Sequence, residues 1–178
     1  GVLEPYYPKL ADFSIQYEIQ ALPEGLRIKR FEPRFFFVDD HLQYLGAWLG
    51  PVPPTHELHP AWRAIEKARP QISESHEKIL RTLMSEGYVG PVGIDALVTT
   101  NFQVVSVIEV NVRYTMGRVA QSLEACLRKK GITTPAMMKF HSKQELKRGG
   151  FSGFTELAAS FKAGSFFPVT PLDSAVST

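Results

Sequence analysis

The chain has 178 residues, and its 20 Lys and Arg against 18 Asp and Glu leave a formal net charge of +2, a near balance that excludes a protein wrapping a polyanion through a large basic excess. Hydrophobic residues make up 44% and charged residues 21%, an ordinary folded-protein mixture that excludes global disorder. A chain of this length buries roughly 70% of its unfolded surface without covalent staples. With Cys126 as its one cysteine, it can form no internal disulfide, so the expected compartment is reducing, the cytoplasm.

No run of about 18 uncharged apolar residues occurs, so neither a transmembrane helix nor a membrane partner is expected. The opening Gly1-Val2-Leu3-Glu4-Pro5-Tyr6-Tyr7 lacks the basic region and apolar core of a signal peptide, and it reads as a cut inside a larger domain. From Asp12 to Gln20, Phe13, Ile15, Tyr17 and Ile19 alternate with Asp12, Ser14, Gln16, Glu18 and Gln20, the period of a strand buried on one face. Leu22-Pro23-Glu24-Gly25 turns the chain into a second strand, Arg27 to Val38, which carries Phe35-Phe36-Phe37 as core and stops at Asp39-Asp40. Leu42 to Leu49 is a third, and the three predict an antiparallel meander.

Gly50-Pro51-Val52-Pro53-Pro54 breaks the sheet. One helix begins with Pro60 in its first turn and stops at Pro70; a second is capped by Ser73, carries Ile79, Leu80, Leu83 and Met84, and ends at Gly87. Gly90–Val98 and Phe102–Asn111, joined by Thr99-Thr100-Asn101, read as a hairpin. A last clear helix bears Val119, Leu123, Cys126 and Leu127 on one stripe, Arg128-Lys129-Lys130 in its final turn and Gly131 at its end. Cys126 on that stripe predicts a buried, inert thiol. Beyond it, a short helix near Phe154–Lys162 and the apolar Ser165-Phe166-Phe167-Pro168-Val169 stand without clear periodicity. The predicted class is α+β, an antiparallel sheet with flanking helices, in two parts: 1–131 and an extension, 132–178.

The chemistry concentrates in Ile108-Glu109-Val110-Asn111-Val112-Arg113. Glu109 and Asn111 lie two apart on a predicted strand, so both side chains leave one face and offer hard oxygen ligands to one point. Asp95 on the neighbouring strand is a natural third ligand, directly opposite Glu109 if the hairpin loop has about five residues and diagonal to it if the loop is tighter. Two carboxylates and an amide suit Mg²⁺ or Mn²⁺; the alternative is that Glu109 simply pairs with Arg113 or another neighbour. His56 and His59 sit three apart in a Pro-rich loop with no helix to align them, which argues against zinc. Gly149-Gly150-Phe151-Ser152-Gly153 lacks the preceding strand of a phosphate loop and reads as a turn.

With Gly87-Tyr88-Val89-Gly90-Pro91-Val92-Gly93-Ile94-Asp95 before it and Arg113-Tyr114-Thr115-Met116-Gly117 opening a helix after it, this segment resembles the ATP-grasp superfamily, specifically the carboxyl-terminal half of its domain, over roughly residues 1–130. The resemblance implies metal ligands Asp95, Glu109 and Asn111. Arg113 would be the catalytic cation, stabilising an acyl-phosphate or the substrate carboxylate. Val2–Tyr7 would be the hinge that holds adenine, with Glu4 and Tyr6 as cofactor-binding residues, Asp12 would contact the ribose, and Arg34 would reach a phosphate or else sit as an exposed edge arginine. Val112 stands where the family often has Pro. The implied protein is an ATP- and Mg²⁺-dependent ligase joining a small carboxylate to an amine or thiol through an acyl-phosphate. Its glycine-rich phosphate loop and lysines would lie in an amino-terminal remainder, and this segment would be inactive alone. A non-catalytic ATP-grasp-like binding or assembly module is the rival reading. A small metal-dependent hydrolase is a more distant one, since it needs a general base near Glu109 and His76 belongs to a predicted helix start with no route there.

Overall fold

The strict alternation of β1 (Lys9–Leu22) builds a long strand with an apolar and a polar face, and the rest of the chain is arranged around it. A computed structural model describes residues 5–139, 141 and 143–161. Residues up to Lys139 form one compact unit, and a second follows from residue 140. In the first unit β1 pairs with β2 (Gly25–Arg30), β3 (Arg34–Val38) and β5 (Gly90–Thr99). Adding β4 (Tyr44–Leu49), β6 (Val104–Asn111) and β7 (Ala136–Lys139) gives, among the described residues, a seven-stranded sheet of order β6-β5-β1-β3-β4-β7, with β2 beside β1. Every pairing is antiparallel, which with the flanking helices makes the fold α+β as expected.

The single strand expected over Arg27–Val38 is two. Arg30 pairs with Tyr17 and Arg34 with Ser14, so β2 and β3 run in file along the same edge of β1 with an interruption at Phe31-Glu32-Pro33. Pro33 has no N–H to give the ladder, and the strand breaks where it stands. The meander is likewise modified, because β5 occupies the other edge of β1 and makes that strand central.

Two helices cover the apolar face. α1 (His59–Lys67) carries a proline in its first turn and contributes Ala61 and Ile65; α2 (Arg69–Ser85) contributes Ile72 and Leu80, all packed with Phe13, Ile15, Ile19, Phe35, Val92, Ile94 and Val98. Pro70 opens the second helix rather than only ending the first, since a proline in the opening turn sacrifices no intrahelical bond. Ser73 is therefore inside α2, and its hydroxyl accepts a hydrogen bond from Arg30.

The other face is covered in part by α3 (Met116–Lys129), which buries Gly117, Ala120 and Gln121. Its stripe is rotated from the one expected. Val119 and Cys126 are exposed, because Ala120 together with Leu123 and Leu127 packs on Ala47, Leu49 and Met138. In consequence the polar side chains of β1 are not uniformly solvated: Ser14 is 3% and Gln16 2% exposed. The second unit contains α4 (Lys143–Arg148) and α5 (Phe154–Ala159) with Leu146 and Leu157 buried, and Ser152 donates from its N–H and hydroxyl to Glu156 across the expected turn. Glu4, the rest of residues 1–4, and the apolar stretch Ser165–Val169 lie outside the described residues.

Candidate metal centre

The β5–β6 hairpin sets the site. Val98 pairs with Val104 and Thr99 N–H bonds Gln103 O, so the turn is tighter than the loop of about five residues that brings Asp95 opposite Glu109. The register is restored further along: while β5 goes from 97 back to 95, β6 goes from 105 to 109, and this irregularity places Asp95 directly across from Glu109 and Gly93 across from Asn111. Asn111 Nδ2 donates to Asp95 Oδ2 at 3.3 Å. Ser14 of β1 pairs with Asp95 from the other side.

These groups share a cleft of about 370 Å³ with Lys9, Asp12, Arg113 and the start of α3, rimmed by Leu42, Tyr44 and Ile108. Burial first, then the Glu109 and Asp12 charges, push the Asp95 carboxyl up to about 6, with Arg113 acting in the opposite sense. Two anions that face each other in a half-buried cleft, with the guanidinium too weak an offset to keep Asp95 in the ordinary carboxylate range, form an environment that calls for more positive charge. Among the described residues no three His, Cys, Asp or Glu side chains form a metal cluster. A cation here would draw on the two carboxylates, the Asn111 amide and further oxygens from water or ligand, which fits the hard, partly hydrated Mg²⁺.

The remaining residues singled out in the sequence distribute as follows. Asp12 lines the cleft and holds Lys9 Nζ at 2.7 Å. Arg113 also lines it, with a long 3.4 Å contact to Tyr114 O, and forms no ion pair with Glu109, against the simple pairing of those two residues. Tyr6 is 90% exposed. Arg34 is neither an edge arginine nor open to the cleft: it is ion-paired to Glu124 of α3 and donates to Trp48 O at 2.9 Å. His76 is on the far side of the sheet, buried in α2, where its Nε2–H donates to Ser106 O at 2.6 Å and its Nδ1 accepts from the Tyr17 hydroxyl at 2.8 Å. It cannot serve as a base near Glu109, which removes the histidine on which the hydrolase reading drew. His56 packs against Trp48 with the rings tilted and accepts the Leu58 N–H, a loop-organising role.

Sequence reasoning did not single out Ser14, Gln16, Thr115, Lys9 or Tyr44. Ser14 and Gln16 were legible as the polar side of β1, but only the docking of α3 turns that side into a buried wall. Among the described residues no helix is long and apolar enough to cross a membrane. No family model matches the chain, and no curated protein matches it. Among solved structures, the crystal structure of N5-carboxyaminoimidazole synthetase from Staphylococcus aureus is similar at 13% identity with a TM-score of 0.49; the match covers 80% of this chain and 37% of that one.

Proposed function

We propose that this chain supplies the metal-binding, carboxyl-terminal half of the nucleotide site of an ATP-grasp ligase. The observation that supports the reading best is the irregular β6 register that sets Glu109 opposite Asp95 with Asn111 beside it. A regular hairpin closed by this turn would put Asp95 opposite residue 107 instead, so the bulge is what brings the two carboxylates level. In this account Asp95, Glu109 and Asn111 hold Mg²⁺ or Mn²⁺, which supplies charge to the phosphate oxygens of ATP. Asp12 and the hinge with Glu4 and Tyr6 receive the nucleoside, and Arg113 fixes the substrate carboxylate through the planar fork of its guanidinium. Arg34 acts on phosphate only if it leaves Glu124.

The reaction class is carboxylate activation. A carboxylate oxygen attacks the terminal phosphorus and ADP leaves; an amine or thiol then attacks the acyl carbon and phosphate leaves. The chain's part is positioning and charge complementarity. An amino-terminal remainder completes the site, the compartment is the cytoplasm, and neither nucleic acid nor membrane takes part. Calorimetric titration with MgATP tests this: the full-length protein binds, the isolated 178 residues bind far more weakly, and equally tight binding by the fragment would contradict the half-site.

A non-catalytic binding module is the second reading. It is favoured by the contacts these groups already make within the protein, Asn111 donating to Asp95 and Glu124 ion-paired with Arg34. Replacing Asp95, Glu109 and Asn111 in turn separates the two. Full-length ligase activity that survives all three changes leaves only the module.

A further inference from the structure

Beneath the entry to α3 lies a relay of side chains that the proposed chemistry does not use. Thr115 Oγ1 donates to Gln16 Oε1 at 2.7 Å, and Gln16 Nε2 donates to Ser14 Oγ at 3.1 Å. The direction follows from the groups themselves. An amide oxygen only accepts and an amide nitrogen only donates, so with the Thr115 hydroxyl at the oxygen end, Ser14 must accept at its own oxygen. Its hydroxyl hydrogen is left to donate elsewhere.

Packing keeps this relay from rearranging. A Cβ on Gly117 would come within 2.6 Å of Gln16 Nε2 and 2.9 Å of Ser14 Oγ, and one on Gly93 within 2.7 Å of Thr115 Cγ2. Both glycines let α3 and β5 close on the Gln16 amide. Ser14, in turn, pairs across the ladder with Asp95 and lines the cleft that holds Asp95, Glu109, Asn111 and Asp12. The carboxylates of that corner are all acceptors, and a directed hydroxyl hydrogen beside them has oxygen atoms as its partners.

We propose that Ser14 is an outer-sphere donor of the metal centre, its hydroxyl aimed by Thr115 and Gln16 at an oxygen of the coordination sphere gathered on Asp95, Glu109 and Asn111. This rests on the metal reading given above. Thr115 and Gln16 are positioning residues: their side-chain hydrogen bonds run to each other and to Ser14, not to Asp95, Glu109 or Asn111, and they act through Ser14. Hydrogen bonds that orient metal-bound groups change affinity by about ten- to a hundred-fold.

The test is Mn²⁺ titration of the 178-residue chain, free Mn²⁺ being followed by electron paramagnetic resonance, with circular dichroism confirming that each variant is folded. Ser14→Ala weakens Mn²⁺ binding about ten-fold. Thr115→Val, isosteric and without change to any carboxylate, weakens it in the same direction, which a purely structural hydroxyl would not do; it also carries the test should Ser14→Ala fail to fold. Wild-type affinity in both variants overturns the outer-sphere role and leaves the metal centre standing. Weakening by Ser14→Ala alone, with Thr115→Val unchanged, overturns the relay. Wild-type protein that binds no Mn²⁺ overturns the relay and the metal centre together.

Discussion

Asp95 of β5 stands directly across the ladder from Glu109 of β6, although the turn that joins their strands would on its own have set them apart. The pairing brings two carboxylates to one level of a half-buried cleft, and the cost of that proximity appears in the Asp95 carboxyl, pushed up from 3.8 to about 6 by burial, Glu109 and Asp12.

That shift predicts a pH-dependent cost. A raised carboxyl pKa means that between 3.8 and about 6 the folded chain binds its proton more tightly than the unfolded chain, so this contribution to stability is present below 3.8 and is lost as pH rises through 6. Asp95→Asn removes the cost. Urea denaturation of the variant near neutral pH should show a gain of about 2 to 3 kcal/mol over wild type, with the gain fading as pH is lowered to 3.8. A variant less stable than wild type at neutral pH would contradict the electrostatic account.

The close approach of α3 to the sheet predicts that Gly93→Ala is harmful in spite of its small size. The new methyl would meet Thr115 Cγ2 at 2.7 Å and Gln16 Oε1 at 3.0 Å, both in a closed layer. Overpacking of this kind costs about 1 to 3 kcal/mol, read from the denaturation midpoint; an unchanged midpoint would mean that α3 yields freely.

On the opposite face, Tyr17 and His76 form a buried polar pair. Burial, only partly countered by the Ser106 carbonyl, holds the His76 imidazole below its ordinary value of 6.5, with Arg30 acting in the same sense as burial. A lowered histidine pKa contributes stability that is intact above 6.5 and is lost as pH falls from there toward the folded-state value. The stability difference between wild type and His76→Gln should therefore shrink on acidification through that window. Tyr17→Phe leaves Nδ1 buried without its donor, which costs about 1 to 3 kcal/mol; a neutral result would mean that the site rehydrates.

Arg34 and Glu124 tie β3 to α3, with side chains 10% and 13% exposed. Burial pushes the Glu124 carboxyl up, but Arg34, the Gly50 backbone and Arg128 bring it net below its ordinary value. Glu124→Ala leaves the largely buried guanidinium without its carboxylate, an arrangement that costs about 3 kcal/mol. Thermal denaturation within a degree of wild type would instead show the pair to be solvated.

Much of the fold was legible because it rests on local periodicity. The two-residue alternation of β1, the hairpin around Asn101 and the amphipathic run of α3 are each written into adjacent residues. What was not legible depended on partners distant in sequence. Pro70 is equally compatible with ending one helix or opening the next, and only the packing of Ile72 chose between them. Cys126 lies on an apolar spacing, yet the sheet selects the Gly117–Ala120–Gln121 side of α3 for burial. The candidate metal ligands were readable as an E-x-N triplet with an upstream Asp, whereas their alignment depends on a bulge in β6 that no residue type announces. Arg34 illustrates the same limit, since its partner Glu124 stands ninety positions away.

The most direct test of the central claim is divalent-cation binding by the wild-type chain and by Glu109→Gln, which keeps the shape of the side chain and removes its charge. Mn²⁺ added to wild type should bind with a millimolar-or-tighter constant, on the order of other open carboxylate sites, and raise the melting temperature by mass action. Glu109→Gln should lose both effects. Equal binding and equal thermal shifts in the two proteins would show that Asp95 and Glu109 face each other for some reason other than holding a cation.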